Sequence, residues 1–362
     1  MKRRDFLKTA VATGAAGGAS VLAAPAIANA TLNLKLVGAF PKGFPGVGTS
    51  AEQLGKRIEA LSDGKISIKY YGGGELVPPF ETFSAVSSGT ADIGHNAPYY
   101  QVGKIRSTMY FTTLPFGLDA TELSGWLRHG GGQALWDEAY APHNVKPFYA
   151  GSSGAQAGGW FKKPIKSLDD LVGLKMRIAG LGGDILRKVG ATTVVTPPPE
   201  IYPALQSGVV DAAEFVGPWN DLALGLYKIA PYYHLPAFHE PGPGLEMIVN
   251  QNTYENLSPW LKEVLAQAAT AQAEESTAEF RYNNTIALST LVERGAILSA
   301  FPPDVIEAIG AAAREVIAAY PSGDAMSEKI HGSYMEYVKA CSLYGARMEG
   351  RLYQDRAQVW ST

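Results

Sequence analysis

Short apolar runs alternate with amphipathic stretches along most of this 362-residue chain, a pattern that predicts an α/β protein. Alternating or continuous apolar positions predict strands over residues 32–38, 65–71, 91–94, 175–178, 193–195 and 245–250. Apolar positions at helical spacing predict helices between them, over residues 50–61, 81–88 and 182–189. Glycine ends two of these helices, at Gly64 and Gly89, as it commonly does at a helix C terminus.

One helix–glycine–strand unit occurs twice in the chain. Residues at matching offsets in the two copies are Glu81 and Glu200, Ala85 and Ala204, Ser88 and Ser207, Gly89 and Gly208, and Asp92 and Asp211. Short similarities also arise by chance, but this match continues past each strand into polar residues, a proline and large side chains. Two similar domains that present equivalent strand ends to a shared cleft explain it best, because ligand sites are common at such interfaces.

The C-terminal part of the chain predicts three helices. Neither proline nor glycine occurs over residues 260–294, and Ser258 followed by Pro259 is a typical helix start. A continuous helix there would be about 55 Å long, which is enough to brace two domains. The other helices are expected over 304–320 and from 324 onwards. The last one carries an apolar seam that could pack on the protein's own body or on a second copy: Met326, Ile330, Tyr334, Tyr337, Cys341, Tyr344, Met348 and Leu352.

These elements predict a chain of two α/β domains. We expect the first domain over 31–153 with a return strand at 245–257, and the second over 154–244. Residues 258–362 would form the long bridging helix and the C-terminal helices.

The first thirty residues resemble an export signal. A basic start with Arg3 and Arg4, a weakly apolar middle and an A-x-A close at Ala28 to Ala30 are typical of a twin-arginine signal peptide. The mature chain is then expected to begin near Thr31 and to lie in the periplasm. With Cys341 as its one cysteine, the chain has no internal disulfide. A net charge of −3 gives no basic excess for nucleic acid or lipid.

Three polar residues lie at the ends of short apolar runs, where ligands bind in open α/β sheets: Gln156, Arg177 and Glu214. A buried Arg177 needs a partner, which could be a ligand carboxylate or an internal acid, and the sequence does not separate the two. Glu214 and Gln156 offer hard oxygen atoms that suit sodium or calcium better than zinc, although such residues are most often solvated.

Five aromatic residues fall near the same loops: Tyr99, Tyr100, Trp160, Phe215 and Trp219. Aromatic side chains are more often core than ligand wall. Tyr99 and Tyr100 follow a proline at a strand end, and their phenols could donate hydrogen bonds to a carboxylate.

A hydrolase is the enzyme alternative. His129 begins an HGGG sequence that resembles an oxyanion loop, and Ser152 and Ser153 lie between glycines. The G-x-S-x-G pattern is not met because Ala155 replaces its second glycine, and no acid that would match His234 or His239 is evident. Phosphate-binding, dinucleotide-binding and zinc-protease motifs are also missing from the sequence. A binding protein is therefore favoured over an enzyme.

Two segments together resemble the solute-binding proteins of the TRAP transporters, the tripartite ATP-independent periplasmic class. They are PIKSLDDLVGLKMR at 164–177 and EIYPALQSGVVD at 200–211, with L-x-G-x-K-x-R and A-L-Q-x-G-x-V-D at their ends. The resemblance extends over nearly the whole mature chain. It implies an α/β, two-domain periplasmic-binding-protein fold with a cleft between the domains. Within the family the chain is most similar to the branch that binds 2-oxo and 2-hydroxy monocarboxylates such as pyruvate and lactate.

The resemblance also implies roles for individual residues. Arg177 would hold the substrate carboxylate. Gln156, Glu214 and the backbone carbonyl of Phe215 would hold a sodium or calcium ion, with Glu240 close by. The branch usually has tryptophan where this chain has Phe215, a change that could widen the binding site.

Partners and motions follow from the same resemblance. The two domains would close over the ligand, and membrane permease subunits would recognise the closed form. Members of the branch can dimerise by exchanging C-terminal helices. A sensing subunit that binds the same ligand for a signalling partner is an alternative that the sequence does not separate from transport.

Overall fold

The computed structural model describes residues 31–360, which form two β-sheets surrounded by helices. The strands in chain order are β1 (Leu32–Gly38), β2 (Ile66–Tyr71), β3 (Ile93–Asn96), β4 (Val145–Ser152), β5 (Gly159–Phe161), β6 (Lys175–Arg177), β7 (Thr192–Val194), β8 (Ala212–Ala213), β9 (Tyr232–His234), β10 (Gly244–Asn250) and β11 (Ile297–Ser299).

Helices connect the strands and cover both sheets. They are α1 (Val47–Leu61), α2 (Thr82–Ser87), α3 (Met109–Thr112), α4 (Ala120–His129), α5 (Gly132–Tyr140), α6 (Leu181–Lys188), α7 (Pro198–Ser207), α8 (Pro218–Leu224), α9 (Gln251–Glu255), α10 (Pro259–Glu293), α11 (Pro303–Ala319), α12 (Ala325–Arg347) and α13 (Glu349–Trp360). The mixture of parallel strands and helices confirms the α/β class predicted from the sequence.

The first sheet contains five strands in the order β2-β1-β3-β10-β4. Strand β1 runs parallel to β2 and β3, whereas β10 lies antiparallel between β3 and β4. Every residue of β10 is buried, because the strand has a neighbour on each side and helices on both faces. The predicted return of the chain to the first sheet near residue 245 is therefore confirmed.

The second sheet contains six strands in the order β11-β9-β5-β8-β6-β7. At its centre β6 runs parallel to both β7 and β8, with Arg177 in register with Ala213. The carboxyl ends of β6 and β8 therefore reach the same edge of the sheet, and the side chains that follow them meet there. Strands β5, β9 and β11 were not predicted from the sequence.

Both copies of the predicted helix–glycine–strand unit adopt the same conformation. Gly89 ends α2 with φ of 79° and Gly208 ends α7 with φ of 80°, in the left-handed region that favours glycine. A strand follows each glycine, and it pairs in parallel with β1 in the first sheet and with β6 in the second. The repeat in the sequence thus corresponds to a repeat in the fold.

The predicted strand over 91–94 was placed two residues too early. Strand β3 extends to Asn96, because His95 pairs with Met247 and Asn96 pairs with Glu246 on β10. Polar residues that suggested a loop are therefore buried in the middle of a sheet.

Helices α4 and α5 were also missed by the sequence reading. The glycines after His129 connect the two helices, with Gly131 at φ of 83° as the residue before α5. Trp136 of α5 stacks on Phe111 with ring centroids 4.8 Å apart, and Trp126 of α4 lies on the same ring. The HGGG sequence therefore serves a helix–helix turn.

The long helix predicted after Ser258 is confirmed. Helix α10 has 35 residues, and the Ser258 side chain caps it by accepting a hydrogen bond from the Leu261 N–H. It packs against β4 and α1 beside the first sheet and against α8 beside the second. One rigid helix thus contacts both halves of the protein.

The C-terminal seam is divided between two helices and two environments. Ile330 and Tyr334 of α12 are buried against the protein's own body, where the Tyr334 hydroxyl accepts a hydrogen bond from the Leu118 N–H. Beyond them, Tyr344, Met348 and Leu352 are 60%, 55% and 60% exposed. A single continuous helix was expected, but the chain breaks at Met348 between α12 and α13.

The proposed export signal at residues 1–30 lies outside the described residues. Over residues 31–360, none of the helices has the length and apolar character needed to cross a membrane.

Candidate functional site

Arg177 and Glu214 form a buried ion pair at the carboxyl edge of the second sheet. Arg177 is the last residue of β6 and Glu214 directly follows β8, and the Glu214 N–H donates to the Arg177 carbonyl. Arg177 Nη1 lies 2.6 Å from Glu214 Oε1 and donates also to the Glu214 carbonyl oxygen. Both side chains are almost fully buried, so the pair is shielded from solvent.

Glu214 is held in its charged form. Burial by itself would raise its pKa, but the Arg177 charge, His239 and the Ala179 N–H, which donates to Oε1 at 2.7 Å, together lower the pKa below its ordinary value. Not every N–H group of Arg177 has an acceptor. Nη2 donates to the Thr196 carbonyl oxygen at 3.3 Å, whereas the buried Nε has no acceptor among the described residues. Nε is therefore a buried donor that a further acceptor would satisfy.

A second acid and a histidine adjoin this pair. His239 Nε2 lies 3.6 Å from Glu214 Oε2, and the next residue, Glu240, is equally buried. Burial, followed by the nearby Glu214 charge, raises the pKa of Glu240 to about 7. Helix α6 approaches closely here because Gly182 has no side chain: a Cβ there would lie 2.7 Å from the His239 Cβ.

Oxygen atoms without hydrogen-bond donors gather at this site. Among the described residues, Gln156 Oε1, Glu214 Oε2 and both carboxylate oxygens of Glu240 are buried and accept no hydrogen bond within 3.5 Å, although His239 Nε2 approaches Glu214 Oε2 to 3.6 Å. Gln156 is fixed by its other groups, because Nε2 donates to Ser153 Oγ at 2.9 Å and its N–H donates to the Glu240 carbonyl. Buried acceptors without donors are costly, and a hard cation would satisfy them.

The oxygen atoms that could act as metal ligands at this site suit sodium or calcium better than a transition metal. Over the described residues there is no group of three or more His, Cys, Asp and Glu side chains arranged to hold a metal ion. The site instead contains carboxylate and amide oxygens, which are the ligands that alkali and alkaline-earth cations prefer.

Aromatic rings close the space beside the ion pair. A cavity of about 20 Å³, enough for roughly one water molecule, is lined by Tyr99, Tyr100, Phe215, Gln156 and Arg177, among others. The rings of Tyr99 and Tyr100 meet edge to face at 5.0 Å. Burial raises the pKa of both phenols above the ordinary value, so both remain protonated and can donate.

The family model for bacterial extracellular solute-binding protein, family 7 (DctP), matches residues 44–322 of this chain. The chain belongs to this family. The match confirms the resemblance to TRAP transporter solute-binding proteins that the sequence segments indicated, and with it an extracytoplasmic protein of the solute-binding class.

Relatives of this solute-binding protein agree in sequence and in fold. The monocarboxylate 2-oxoacid-binding periplasmic protein of Nostoc sp. is 36% identical over 344 residues, covering 94% of each chain. A TRAP solute-binding protein from Bordetella bronchiseptica, a mixed-occupancy dimer with copurified calcium and picolinate, is 34% identical, with a TM-score of 0.88 over 92% of this chain and 99% of its own. One from Pseudoalteromonas atlantica with bound sodium and pyruvate is 33% identical, with a TM-score of 0.86 over 90% and 99%.

Most of the residues singled out from the sequence of this family member come together at the site. Arg177, Glu214 and Gln156 meet as described, with Glu240, Tyr99, Tyr100 and Phe215 around them. Trp219 lies apart: it does not line the 20 Å³ cavity but packs on Phe280 of α10, and its N–H donates to Asn284 Oδ1 at 2.9 Å. Trp160 lies in the core, stacked on Tyr233 at 3.9 Å.

The hydrolase motif does not assemble within the described part of this solute-binding protein. Ser152 Oγ accepts from the Gly154 N–H, and Ser153 Oγ accepts from Gln156 Nε2, so neither hydroxyl bonds to a histidine. His129 is exposed at the end of α4.

Two residues of the site were missed by the sequence reading. His239 was weighed only as a partner for a serine, yet it lies beside Glu214. Asp221 of α8 was not singled out. Its carboxylate accepts from Trp160 Nε1 at 2.9 Å, from the Tyr233 hydroxyl at 2.8 Å and from the Val216 N–H at 3.3 Å. Burial nonetheless raises its pKa to about 7. Asp221 thereby fixes the loop that carries Glu214 and Phe215.

Proposed function

We propose that this protein captures a small 2-oxo or 2-hydroxy monocarboxylate, of the size of pyruvate or lactate, and delivers it to a TRAP membrane permease. The single observation that carries this proposal is the unpartnered Arg177 Nε beside buried oxygens that accept no hydrogen bond. A guanidinium edge recognises a carboxylate, and the oxygens suit a cation that the same ligand can share. The 2-oxoacid-binding name of the Nostoc relative and the pyruvate in the Pseudoalteromonas structure support the same ligand class.

Arg177 is the anion-binding residue in this proposal. Its Nη1 stays on Glu214, while Nε and the second Nη2 proton donate to the two oxygens of the ligand carboxylate. Tyr99 and Tyr100 supply further phenol donors, and the Phe215 ring excludes water from the same space. Trp219 contributes through the packing of α8 on α10, since its ring lies outside the cavity.

Gln156, Glu214 and the Phe215 carbonyl are the proposed cation ligands, with Glu240 beside them. The bound sodium or calcium ion supplies positive charge that offsets the repulsion between Glu214 and the ligand carboxylate. Asp221 and Ser153 hold the protein groups in place, because each fixes a segment that carries one of these oxygens. A ligand with an oxo or hydroxyl group next to its carboxylate is favoured over a plain fatty acid, since it offers two adjacent oxygens.

Domain closure completes the proposed site. We infer domains over 31–153 with 245–257 and over 154–244, with 258–362 as the bridging and C-terminal helices. Strands of the first sheet fall in the first of these domains and strands of the second sheet in the second, except β11, which comes from 258–362; the lining of the cavity comes from both domains. We also infer export through the twin-arginine signal at 1–30, no catalytic activity, and a homodimer formed through the exposed part of the C-terminal helices.

Calorimetry on the chelator-dialysed protein tests the proposal. Pyruvate and lactate are titrated in buffers that contain calcium, sodium or neither, and acetate serves as the matched control without an oxo group. Binding of pyruvate or lactate that strengthens with one of the cations, together with weaker or no binding of acetate, is the expected result. Absence of heat for every small organic acid in all three buffers would overturn the proposal.

A further inference from the structure

The loop between β1 and α1 reaches from the first half of the protein to the second. We call residues 41–46 of this loop the strap. The Phe44 ring of the strap meets the Phe215 ring edge to face, with centroids 5.9 Å apart. The Pro45 carbonyl of the strap accepts a hydrogen bond from Asn220 Nδ2 of α8. Phe215 and Asn220 both follow β8 of the second sheet, so the strap connects the two halves.

Gly46 allows the end of the strap to lie close to the second half. It has φ of 69°, in the left-handed region that favours glycine. A Cβ at this position would lie 2.9 Å from Trp219 Cζ3 and 2.5 Å from Phe280 Cζ. Trp219 belongs to α8 and Phe280 to α10, and their rings pack edge to face at 5.4 Å. The strap therefore fits against the junction of these two helices, with no room for a side chain.

The first half of the protein fixes the shape of the strap. The Gly43 N–H donates to Glu52 Oε1 of α1 at 2.6 Å. Just before the strap, the Phe40 carbonyl accepts from the Gly73 N–H at 2.7 Å. None of these groups belongs to the second half. The strap is therefore preorganised, and its docking on the second half costs little conformational entropy.

The Asn220 side chain hydrogen-bonds only to the strap among the described residues. It is buried, and its Oδ1 has no partner, so the bond from Nδ2 to the Pro45 carbonyl is its one contact of this kind. The Pro45 carbonyl also accepts from the Val47 N–H at 2.9 Å. Loss of the Asn220 bond therefore leaves the strap's own turn intact.

The strap adjoins the ligand site without lining it. Phe40 and Val47, on either side of the strap, line the 20 Å³ cavity together with Phe215, whereas residues 41–46 do not. The Phe215 carbonyl is one of the proposed cation ligands. The strap thus holds the segment that carries this ligand group and leaves the contacts with the bound acid to other residues.

We propose that the strap holds the two halves together over the bound acid, and that Phe44 and Asn220 are positioning residues that set how long the ligand is retained. This inference rests on the proposed function, because it takes a ligand to be enclosed between the halves. Contacts made only in the closed form add to the apparent affinity although they do not touch the ligand. Since the strap is released before the ligand leaves, its loss raises the dissociation rate more than it changes the association rate.

Substitutions on each side of the contact test the strap. Phe44→Ala removes the ring pair with Phe215 and should raise the Kd for pyruvate about tenfold. Asn220→Ala removes the hydrogen bond and should raise the Kd about fivefold. Calorimetry in calcium buffer gives the Kd, and stopped-flow tryptophan fluorescence gives the two rates. In both variants the rise should come from the dissociation rate, with the association rate within about twofold of the wild-type value.

Two control variants make equivalent changes that do not join the halves. Tyr254→Ala removes a ring pair with Phe148, with centroids 5.8 Å apart, inside the first half. Asn283→Ala removes an amide that donates to the Glu279 carbonyl of its own helix at 2.9 Å. Both controls should bind and release pyruvate as the wild type does.

Small-angle X-ray scattering separates a loss of closure from a loss of structure. Without ligand, the wild type and both strap variants should have the same radius of gyration. Pyruvate at about ten times the wild-type Kd should reduce the radius of the wild type and the controls, and should reduce it less in the strap variants. A strap variant with a different ligand-free radius is misfolded, and the variant on the other side of the contact then decides.

The outcomes separate this inference from the proposed function. If pyruvate binds the wild type and the strap variants keep its Kd and dissociation rate, the strap is overturned and the proposed function stands. A rise in Kd that comes from slower association alone would also overturn the strap. Should no 2-oxo acid bind the wild type, pyruvate included, both are overturned.

Discussion

Asp92 in the first half of the protein and Asp211 in the second make the same contact with a lysine backbone. Asp92 Oδ2 accepts from the Lys35 N–H at 2.8 Å, and Asp211 Oδ2 accepts from the Lys175 N–H at 3.2 Å. Each aspartate also donates its own N–H to the carbonyl of that lysine. At each aspartate these two hydrogen bonds close the turn between a left-handed glycine and the following strand. The repeat therefore includes hydrogen bonds as well as the direction of the chain.

Loss of either carboxylate should weaken the protein by a similar amount. Asp92→Ala and Asp211→Ala each remove one acceptor from a backbone N–H, and we expect each to lower the free energy of unfolding by about 1 kcal/mol, with a somewhat larger loss for Asp92, whose Oδ1 also accepts from the Thr253 hydroxyl at 3.3 Å. Urea denaturation followed by circular dichroism measures this. The Asp→Asn variants keep an acceptor oxygen and should retain most of the stability. An alanine variant as stable as its asparagine counterpart would show that the contact has no role in holding the turn.

Single and double substitutions of the buried ion pair should not be additive in their effect on the free energy of unfolding. Glu214→Gln leaves the Arg177 charge buried with a weaker partner and should cost about 3–5 kcal/mol of stability. The double variant Arg177→Met with Glu214→Gln removes both charges and should cost less than the two single changes together.

An exposed ion pair provides the matched control for this experiment. Lys329 and Glu138 lie 2.5 Å apart with about half of each side chain exposed. Glu138→Gln should change stability by less than about 1 kcal/mol. A Glu214→Gln variant that is no less stable than Glu138→Gln would contradict the assignment of a dry ion pair.

Glu246 of β10 gives the protein a pH dependence of its own. Burial raises the pKa of this carboxyl to about 8, from an ordinary value of 4.5. The folded protein therefore holds a proton more tightly than the unfolded chain does. The stability that this group contributes is fully present below pH 4.5 and is lost as the pH rises through 8.

Denaturation at pH 6 and pH 9 tests the sign of this effect. The wild type should be less stable at pH 9, and Glu246→Gln should lose less stability between the two pH values than the wild type does. Glutamine can still accept from the Tyr140 hydroxyl, which lies 2.9 Å from Glu246 Oε2, and can donate to the unpartnered Asn96 Oδ1. Equal pH dependence in variant and wild type would mean that Glu246 does not carry the effect.

The exposed end of the C-terminal seam predicts self-association. Tyr344→Glu with Leu352→Glu places charge on an apolar surface that a second copy would cover, and it should convert a dimer to a monomer in light scattering. Val172→Glu, at a residue that is 66% exposed on the second half of the protein, is the matched control and should remain dimeric. A wild-type protein that is monomeric at every concentration tested would contradict the dimer.

The sequence predicts the fold best where a pattern is long or comes with a specific stop signal. Helix α10 has 35 residues without an internal proline or glycine, and the glycines after α2 and α7 mark two real turns. Three-residue strands are recognised unreliably: β6 and β7 were predicted, whereas β9 and β11, of the same length, were not. Likewise, the glycines after His129 predicted nothing about α4 and α5, because glycine marks a turn without saying what it joins.

The sequence predicts only those residues of the site that lie at the ends of strands. Arg177 and Glu214 end neighbouring parallel strands, so their meeting follows from sheet geometry. His239 arrives from a separate loop, and no local pattern links it to β8. The three donors on Asp221 come from Trp160, Val216 and Tyr233, which only the folded chain brings together.

Pyruvate binding by Arg177→Ala tests the central claim most directly. Calorimetry in calcium buffer compares this variant with the wild type and with Arg294→Ala, which removes an exposed arginine that contacts the Tyr227 hydroxyl. If the guanidinium holds the ligand carboxylate in a dry site, Arg177→Ala should lose about 3 kcal/mol or more of binding free energy, roughly a 150-fold rise in Kd. A folded Arg177→Ala protein that binds pyruvate with the Kd of the wild type would contradict the account.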